Sequence, residues 1–304
     1  MARFCMWFLR LYWTTGGKFI NSKMGKPARA SDNSETRPSR RKLKREHVNV
    51  VYEDPGTTQS KVPKTVTEAN IGKPDNWMET LNNIREMRKN NDAPVDTMGC
   101  DQCSDREVTP EVRRYQILLS LMLSSQTKDT VTYPAMQRLK SHGLTIENIL
   151  KTEDEVLGKL IYPVGFWKTK VKNIKKTTQI LKDKYFGDIP ATVEDLCSLP
   201  GVGPKMAHLC MNSAWGKVTG IGVDTHVHRI SNRLHWVGKK GTKTPEKTRV
   251  SLEAWLPHSL WEEVNHLLVG FGQTICKPVN PLCNSCLNKS ICPSANKCKT
   301  QEKS

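Results

Sequence analysis

Leu199-Pro200-Gly201-Val202-Gly203-Pro204-Lys205-Met206-Ala207 stands between two helical patterns and reads as the turn that joins them. Pro200 fixes the first bend, Gly201 and Gly203 permit positive φ and close backbone approach, and Pro204 suits the first position of a helix. The spacing predicts a helix–hairpin–helix over about 193–216. Gly201, Val202 and Gly203 would present backbone amides at a helix N-terminus, where phosphate oxygens bind well. Contacts of that kind do not depend on base sequence. An ordinary linking turn is the alternative for a bare Gly-x-Gly, and the full Leu-Pro-Gly-Val-Gly register weighs against it.

Lys205 opens the second helix of this unit. The positive end of the helix dipole disfavours an ammonium there, as does any burial, so a neutral nucleophilic amine gains ground. The competing reading is a point charge that neutralises phosphate. Nineteen residues later stands Val223-Asp224-Thr225-His226-Val227-His228-Arg229. Asp224 precedes the helical run Val227, Ile230, Leu234 and is expected to cap it. It would also be a carboxylate able to stabilise a developing cation or manage protons, and capping would hold it fixed for that work. His226 and His228 read as helix-face residues without a catalytic assignment.

The surrounding punctuation is helical. Thr109-Pro110 places a cap before a proline at a first helical position. Tyr115–Leu123 is apolar nearly all round, as a helix buried inside a bundle should be. Thr152 with Glu155 and Ser259 with Glu262 fit the capping box. Between Lys168 and Tyr185, Val171, Ile174, Leu181 and Tyr185 mark one face while Lys168, Lys172, Lys175 and Lys176 occupy others. Val48–Tyr52 is the only stretch that reads as a strand. The expectation is an all-α protein of about two compact units, since the chain has 304 residues.

Lys and Arg number 47 against 30 Asp and Glu, a net of +17. The first 46 residues account for +9, so the body remains basic without them. That surplus predicts a polyanionic partner, most simply nucleic acid, and no run of 18 apolar residues offers a membrane span. Residues 1–31 carry arginines, no acidic residue and an apolar cluster of Phe4, Trp7, Phe8, Leu11, Tyr12 and Trp13. This is the composition of a mitochondrial transit peptide. Arg37–Arg45 adds a basic block that reads as a nuclear-import signal or a nucleic-acid arm. About the first 74 residues read as mostly disordered.

Of ten cysteines, Cys276, Cys283, Cys286 and Cys292 form C-x6-C-x2-C-x5-C. Four thiolates so closely set can encircle one metal centre and staple a loop-rich segment; spacing alone leaves zinc and an iron–sulfur cluster about level. Nuclear or mitochondrial-matrix residence argues against disulfides. Cys197 and Cys210 read as small buried apolar residues, Cys5 and Cys298 lie in the tails, and Cys100/Cys103 is a lone CxxC without a metal assignment. Lys277 and Lys289 are phosphate-contact candidates or simply solvated lysines.

Taken in order, these residues resemble the endonuclease III family of helix-hairpin-helix DNA glycosylase/AP lyases. The likeness runs from about Asp75 to Cys292. It includes Leu123-Ser124-Ser125-Gln126-Thr127-Lys128-Asp129 and Val164-Gly165-Phe166-Trp167. It implies two all-α domains flanking a DNA-binding cleft: a six-helix barrel over 107–217, and an iron–sulfur cluster domain combining 75–106 with 218–304. It implies a [4Fe–4S] cluster on the four cysteines, Lys205 as Schiff-base nucleophile and Asp224 as its catalytic carboxylate. Gln126 matches the position that fills the gap left by an extruded nucleotide, and Phe166 the apolar wedge in the opposite strand. The family residue at Phe166 is usually smaller.

The activity implied is a bifunctional glycosylase/AP lyase of base excision repair. It would remove oxidised pyrimidines through a Schiff base at C1′, then cleave 3′ to the abasic site by β-elimination. A monofunctional glycosylase of the same superfamily is one alternative, although those enzymes use water and lack a lysine at this position. A noncatalytic iron–sulfur DNA-binding protein is the other. The expected partners are double-stranded DNA containing oxidised pyrimidines or abasic sites, with a downstream AP endonuclease and other repair factors. The chain is expected to be a monomer without membrane association, in nucleus and mitochondrion. The basic head and the acidic, cysteine-bearing insert around Asp92–Glu107 depart from the short bacterial pattern, and neither is expected to touch the chemistry.

Overall fold

The computed structural model describes residues 73–105 and 107–295. The readings of the head, the strand expected at Val48–Tyr52, Cys5 and Cys298 lie outside the described residues. Among those described, all regular structure is helical, as expected, and no helix is long and apolar enough to cross a membrane.

One hydrophobic cluster is built around α3 (Pro110–Ser124). Thr109 is its N-cap and Pro110 its first residue, and all nine residues from Tyr115 to Leu123 are buried. Burying a large apolar side chain contributes about 1.5–3 kcal/mol, so a helix apolar all round belongs in the middle. Its polar members are satisfied. The Tyr115 and Thr178 hydroxyls bond at 2.7 Å, and Ser120 Oγ donates to the Ile117 carbonyl at 2.8 Å. Around α3 pack α4 (Asp129–His142), α5 (Ile146–Lys151), α6 (Asp154–Ile161), α7 (Trp167–Lys184), α8 (Val193–Ser198) and α9 (Pro204–Trp215). Along α7, Val171, Ile174 and Leu181 are buried while Lys168, Lys172 and Lys176 face water. Lys175 instead turns its ammonium to the carbonyls of Leu150 and Thr152 at the end of α5.

A second cluster gathers α1 (Trp77–Arg88), α10 (Thr225–Arg233), α11 (Pro245–Glu253) and α12 (Trp261–Thr274). Its centre is a tryptophan stack. Trp255 meets Trp77 edge-on at 5.5 Å and Trp236 at 5.8 Å, and its indole N–H donates to the Trp236 carbonyl at 2.9 Å. A buried indole needs such a partner for its one donor.

The chain passes from the second cluster to the first through α2 (Pro94–Met98). Buried Arg88 pairs with Asp96 at 2.5 Å, and the other Asp96 oxygen meets His266 Nε2 of α12 at 2.8 Å. Burial pushes the Asp96 carboxyl up, but the hydrogen bonds from Arg88 and His266 outweigh it and hold it below its ordinary value. By Cys103 the chain is inside the first cluster.

Two capping boxes expected from sequence do not form. Thr152 ends α5, and its hydroxyl returns to the Asn148 carbonyl at 2.7 Å; Glu153 holds the N-cap position of α6. Ser259 lies in a 3-10 turn that runs directly into α12. The threonines that accept from their N3 amides are Thr145, Thr192 and Thr244.

Candidate active site

The hairpin predicted from Leu199–Ala207 is present, with α8 before it and α9 after it. Gly201 has φ +83, a region costly for any side chain, and a Cβ there would lie 2.6 Å from Asn173 Nδ2. Gly203 departs from expectation. As the N-cap of α9 it is extended, at φ −114, and a Cβ would meet nothing within 4 Å. Val202 is buried, and its N–H closes the turn onto the Leu199 carbonyl at 3.1 Å. That amide serves the turn itself rather than pointing outward.

Lys205 is the second residue of α9, half-buried, in a first turn without acidic residues. The chain leaving α9 returns along it. The Lys217 N–H donates to the Met211 carbonyl at 3.0 Å, and His208 Nδ1 meets Thr219 Oγ1 at 3.0 Å. Gly222 then lies so close to α9 that a Cβ would stand 2.5 Å from Leu209 Cδ2. Asn265 Nδ2 of α12 holds the Gly222 carbonyl, and two residues on comes Asp224. In this way the sequence brings a carboxylate 19 positions downstream back alongside α9.

Asp224 caps α10 as predicted, its Oδ1 accepting the Val227 N–H at 2.8 Å. Lys205 and Asp224 line one cleft of about 1540 Å³, and Gln126, Gly203 and His226 line it too. Among the described residues Lys205 and Asp224 make no ion pair within 4.0 Å. Phe166, Gly201 and Val202 do not line the cleft. Phe166 stands 67 % exposed at the N-cap of α7.

Two further groups complete the cleft's polar floor. Asp129, first residue of α4, accepts from Gln273 Nε2 of α12 at 2.7 Å, and Gln273 Oε1 accepts the Val95 N–H at 3.0 Å. Gln273 thus pins α2, α4 and α12 together. Burial raises the Asp129 carboxyl, against the Gln273 hydrogen bond and the positive charge of Lys205. His226 is lowered, chiefly by burial, with Asp224 opposing. His228 turns away, its Nδ1 on Thr248 Oγ1 at 2.7 Å. The role of Gln273 is invisible in sequence because its partner lies 144 positions away.

The insert around Asp92–Glu107, expected to be clear of the chemistry, is part of the cleft wall. Pro94, Val95, Gly99, Cys100 and Asp101 line the same cleft as Lys205. Cys103 is buried and Cys100 half-buried; desolvation raises both thiols, Cys103 to about 12, and Cys103 Sγ donates to the Gly99 carbonyl. A raised thiol pKa keeps the sulfur in its less nucleophilic neutral form. Cys210 is fully buried as expected; Cys197 is only partly so.

Cys276, Cys283, Cys286 and Cys292 line one small cavity beside α12. Arg233 Nη1 donates to Cys276 Sγ at 3.2 Å. Burial raises the Cys286 thiol, and the neighbouring Cys276 and Cys292 add to the shift, so the sulfurs are within electrostatic reach of one another. Among the described residues no three His, Cys, Asp or Glu side chains converge as a formed metal-binding group. An all-thiol donor set around a shared cavity still fits a thiolate-bound centre. Of the two lysines nearby, Lys289 is exposed and donates to Asn284 Oδ1 at 3.1 Å, and Lys277 is partly buried.

Comparison with known proteins agrees with this arrangement. Residues 119–258 match the HhH-GPD superfamily base excision DNA repair protein model. Endonuclease III-like protein 1 of Mus musculus is 57% identical over 268 residues, covering 88% of this chain and 89% of the relative. Its counterpart in Gallus gallus is 60% identical over 250 residues, covering 82% and 86%. A solved structure of a trapped endonuclease III–DNA covalent intermediate superposes with a TM-score of 0.64 at 26% identity. It covers 74% of this chain and 98% of that one. A cleft between two helical clusters, a hairpin opening onto Lys205 and relatives of this closeness lead to one conclusion: the chain belongs to the endonuclease III family of base excision DNA repair glycosylase/lyases.

Proposed function

We propose that Lys205 and Asp224 carry the chemistry of a bifunctional glycosylase/AP lyase acting on oxidised pyrimidines in duplex DNA. The observation that carries the reading is their shared cleft, with Lys205 at the helix start of the hairpin and Asp224 returned to the cleft past Gly222, which packs on α9. C1′ of a stacked nucleotide is out of reach, so the damaged nucleotide is first extruded into the cleft. The Lys205 amine attacks C1′, the glycosidic C–N bond breaks, and the base leaves with a proton. Asp224 stabilises the cationic sugar as it forms. The amine–C1′ adduct opens to a Schiff base, which acidifies the C2′ proton. Loss of that proton and cleavage of the C3′–O bond break the strand 3′ to the site.

Gln126 fills the gap and Phe166 enters the opposite strand, consistent with their exposure at loop tips. Gly201 and Gly203 supply the phosphate-facing amides of the hairpin, and Val202 supports them from inside. Residues 107–217 form the barrel and 75–106 with 218–304 the cluster domain; the two hydrophobic clusters support this division, apart from Cys100 and Cys103, which pack with the first. Cys276, Cys283, Cys286 and Cys292 hold a [4Fe–4S] centre, which braces the loop after α12 and takes no part in a reaction that moves no electrons. The basic head directs the protein to nucleus and mitochondrion, and the chain acts as a monomer.

Single-turnover incubation with a thymine-glycol duplex tests this, with base release and strand scission scored separately. Wild type should give both products, and Lys205→Ala should give neither at a comparable rate. Base release without scission by wild type would favour the monofunctional alternative, and no release at all the noncatalytic one.

A further inference from the structure

Lys170 of α7 is only 8 % exposed, although it carries a formal charge and has no acidic partner within 4.0 Å. A lysine so placed is expensive and needs a reason. Its Nζ donates to the Leu123 carbonyl at 2.6 Å, the Ser125 carbonyl at 2.6 Å and Thr127 Oγ1 at 3.1 Å. The three N–H bonds of an ammonium meet three oxygens, two of them carbonyls at the C-terminus of α3. Helix ends leave such carbonyls without partners and carry negative partial charge, so a cation is held there by the backbone itself. Burial lowers the Lys170 pKa to about 8, which still leaves the amine mostly protonated at neutral pH.

The loop so gripped, 123–127, has Gln126 at its tip, exposed and left-handed at φ +50. Four residues before Lys170, at the N-cap of α7, Phe166 is likewise exposed and left-handed at φ +56. A second bond joins the same two segments. The Gly165 N–H donates to Thr127 Oγ1 at 3.1 Å, and that hydroxyl in turn donates to the Ser125 carbonyl at 3.1 Å. The segments touch so closely that a Cβ on Gly165 would lie 2.8 Å from the Gln126 carbonyl. Strained backbone at two neighbouring exposed tips persists only where the surroundings over-determine it.

We propose that Lys170 is a positioning residue for DNA engagement: by fastening the end of α3 to α7, it fixes the spacing at which Gln126 and Phe166 enter the duplex. The inference rests on the reading above that these two residues enter the DNA. Lys170 itself does not line the cleft and contacts no reacting atom. Its effect must therefore travel through the two tips.

A double-mutant cycle tests it on a thymine-glycol duplex, with single-turnover excision at saturating enzyme. 2-Aminopurine fluorescence opposite the lesion reports entry into the stack. Lys170→Met should slow excision by about tenfold or more and suppress the fluorescence rise, as misplacement of a loop by about 1 Å does elsewhere. In a Gln126→Ala/Phe166→Ala background the same substitution should change the rate by less than about twofold. Thr127→Val, which removes one acceptor from both linking bonds, should act in the same direction more weakly and decides the matter should Lys170→Met fail to fold. Equal slowing in both backgrounds, or none in the first, overturns the role of Lys170. An undiminished rate in the Gln126→Ala/Phe166→Ala protein alone would instead overturn the reading of the two tips.

Discussion

Asp224 is placed to do two things that substitution can separate. Its Oδ1 accepts the Val227 N–H at 2.8 Å and so caps α10, and its carboxylate lines the cleft with Lys205. Asparagine caps a helix as well as aspartate does, whereas loss of a cap to alanine costs about 1 kcal/mol. Asp224→Ala should therefore lower stability by about 1 kcal/mol, or about 2–4 °C in melting temperature for a chain of this size. Asp224→Asn should stay within a few tenths of a kcal/mol of wild type. Catalysis should divide differently. Loss of the charge that faces a developing sugar cation costs on the order of 100-fold or more in rate, whichever residue replaces it. The assay pairs thermal unfolding with single-turnover excision on the three proteins. Near-wild-type excision by Asp224→Asn would refute the electrostatic role. An unchanged melting temperature in Asp224→Ala would refute the cap.

His226 is held below its ordinary value of 6.5 by burial, so on acidification the unfolded chain takes up that proton first. Its contribution to stability is whole above about pH 6.5 and is lost as pH falls through the folded value; His226→Gln should flatten the melting curve in that window, measured from pH 5 to 8. On the proposal that the four cysteines hold a [4Fe–4S] centre, Cys286→Ser should lower the iron and acid-labile sulfide of the purified protein from about four per chain and lower its melting temperature. Unchanged iron would remove Cys286 from the centre. Gly222→Ala places a Cβ 2.5 Å from Leu209 Cδ2. It should cost about 1–3 kcal/mol by overpacking and slow excision by shifting Asp224, read by urea unfolding and single-turnover rate.

The parts of this protein legible in the sequence are those whose cause is local. A helix apolar all round at Tyr115–Leu123 had to be central, Pro110 had to start it, and Asp224 had to cap the helix that follows. The hairpin could be read because proline and glycine restrict the backbone within a few residues, although only Gly201 uses positive φ. What escaped depends on distant partners. Thr152 has the spacing of a capping box, but its hydroxyl also meets His142 Nε2 at 2.9 Å and closes the preceding helix instead. Gln273 and Asp129 meet across 144 positions, and Lys170 reaches the end of α3 across 47. No periodicity records such pairs. The acidic, cysteine-bearing insert around Asp92–Glu107 reads only as a departure from the short bacterial pattern; its anchors, Arg88 and His266 on Asp96, fold it into the cleft wall.

The most direct test of the account is borohydride trapping on an oxidised-pyrimidine duplex, followed by peptide mapping of the cross-linked chain. Reduction should yield a covalent protein–DNA species attached at Lys205 and absent from Lys205→Ala. An adduct of undiminished yield in that variant, or one mapped to a different amine, would contradict it.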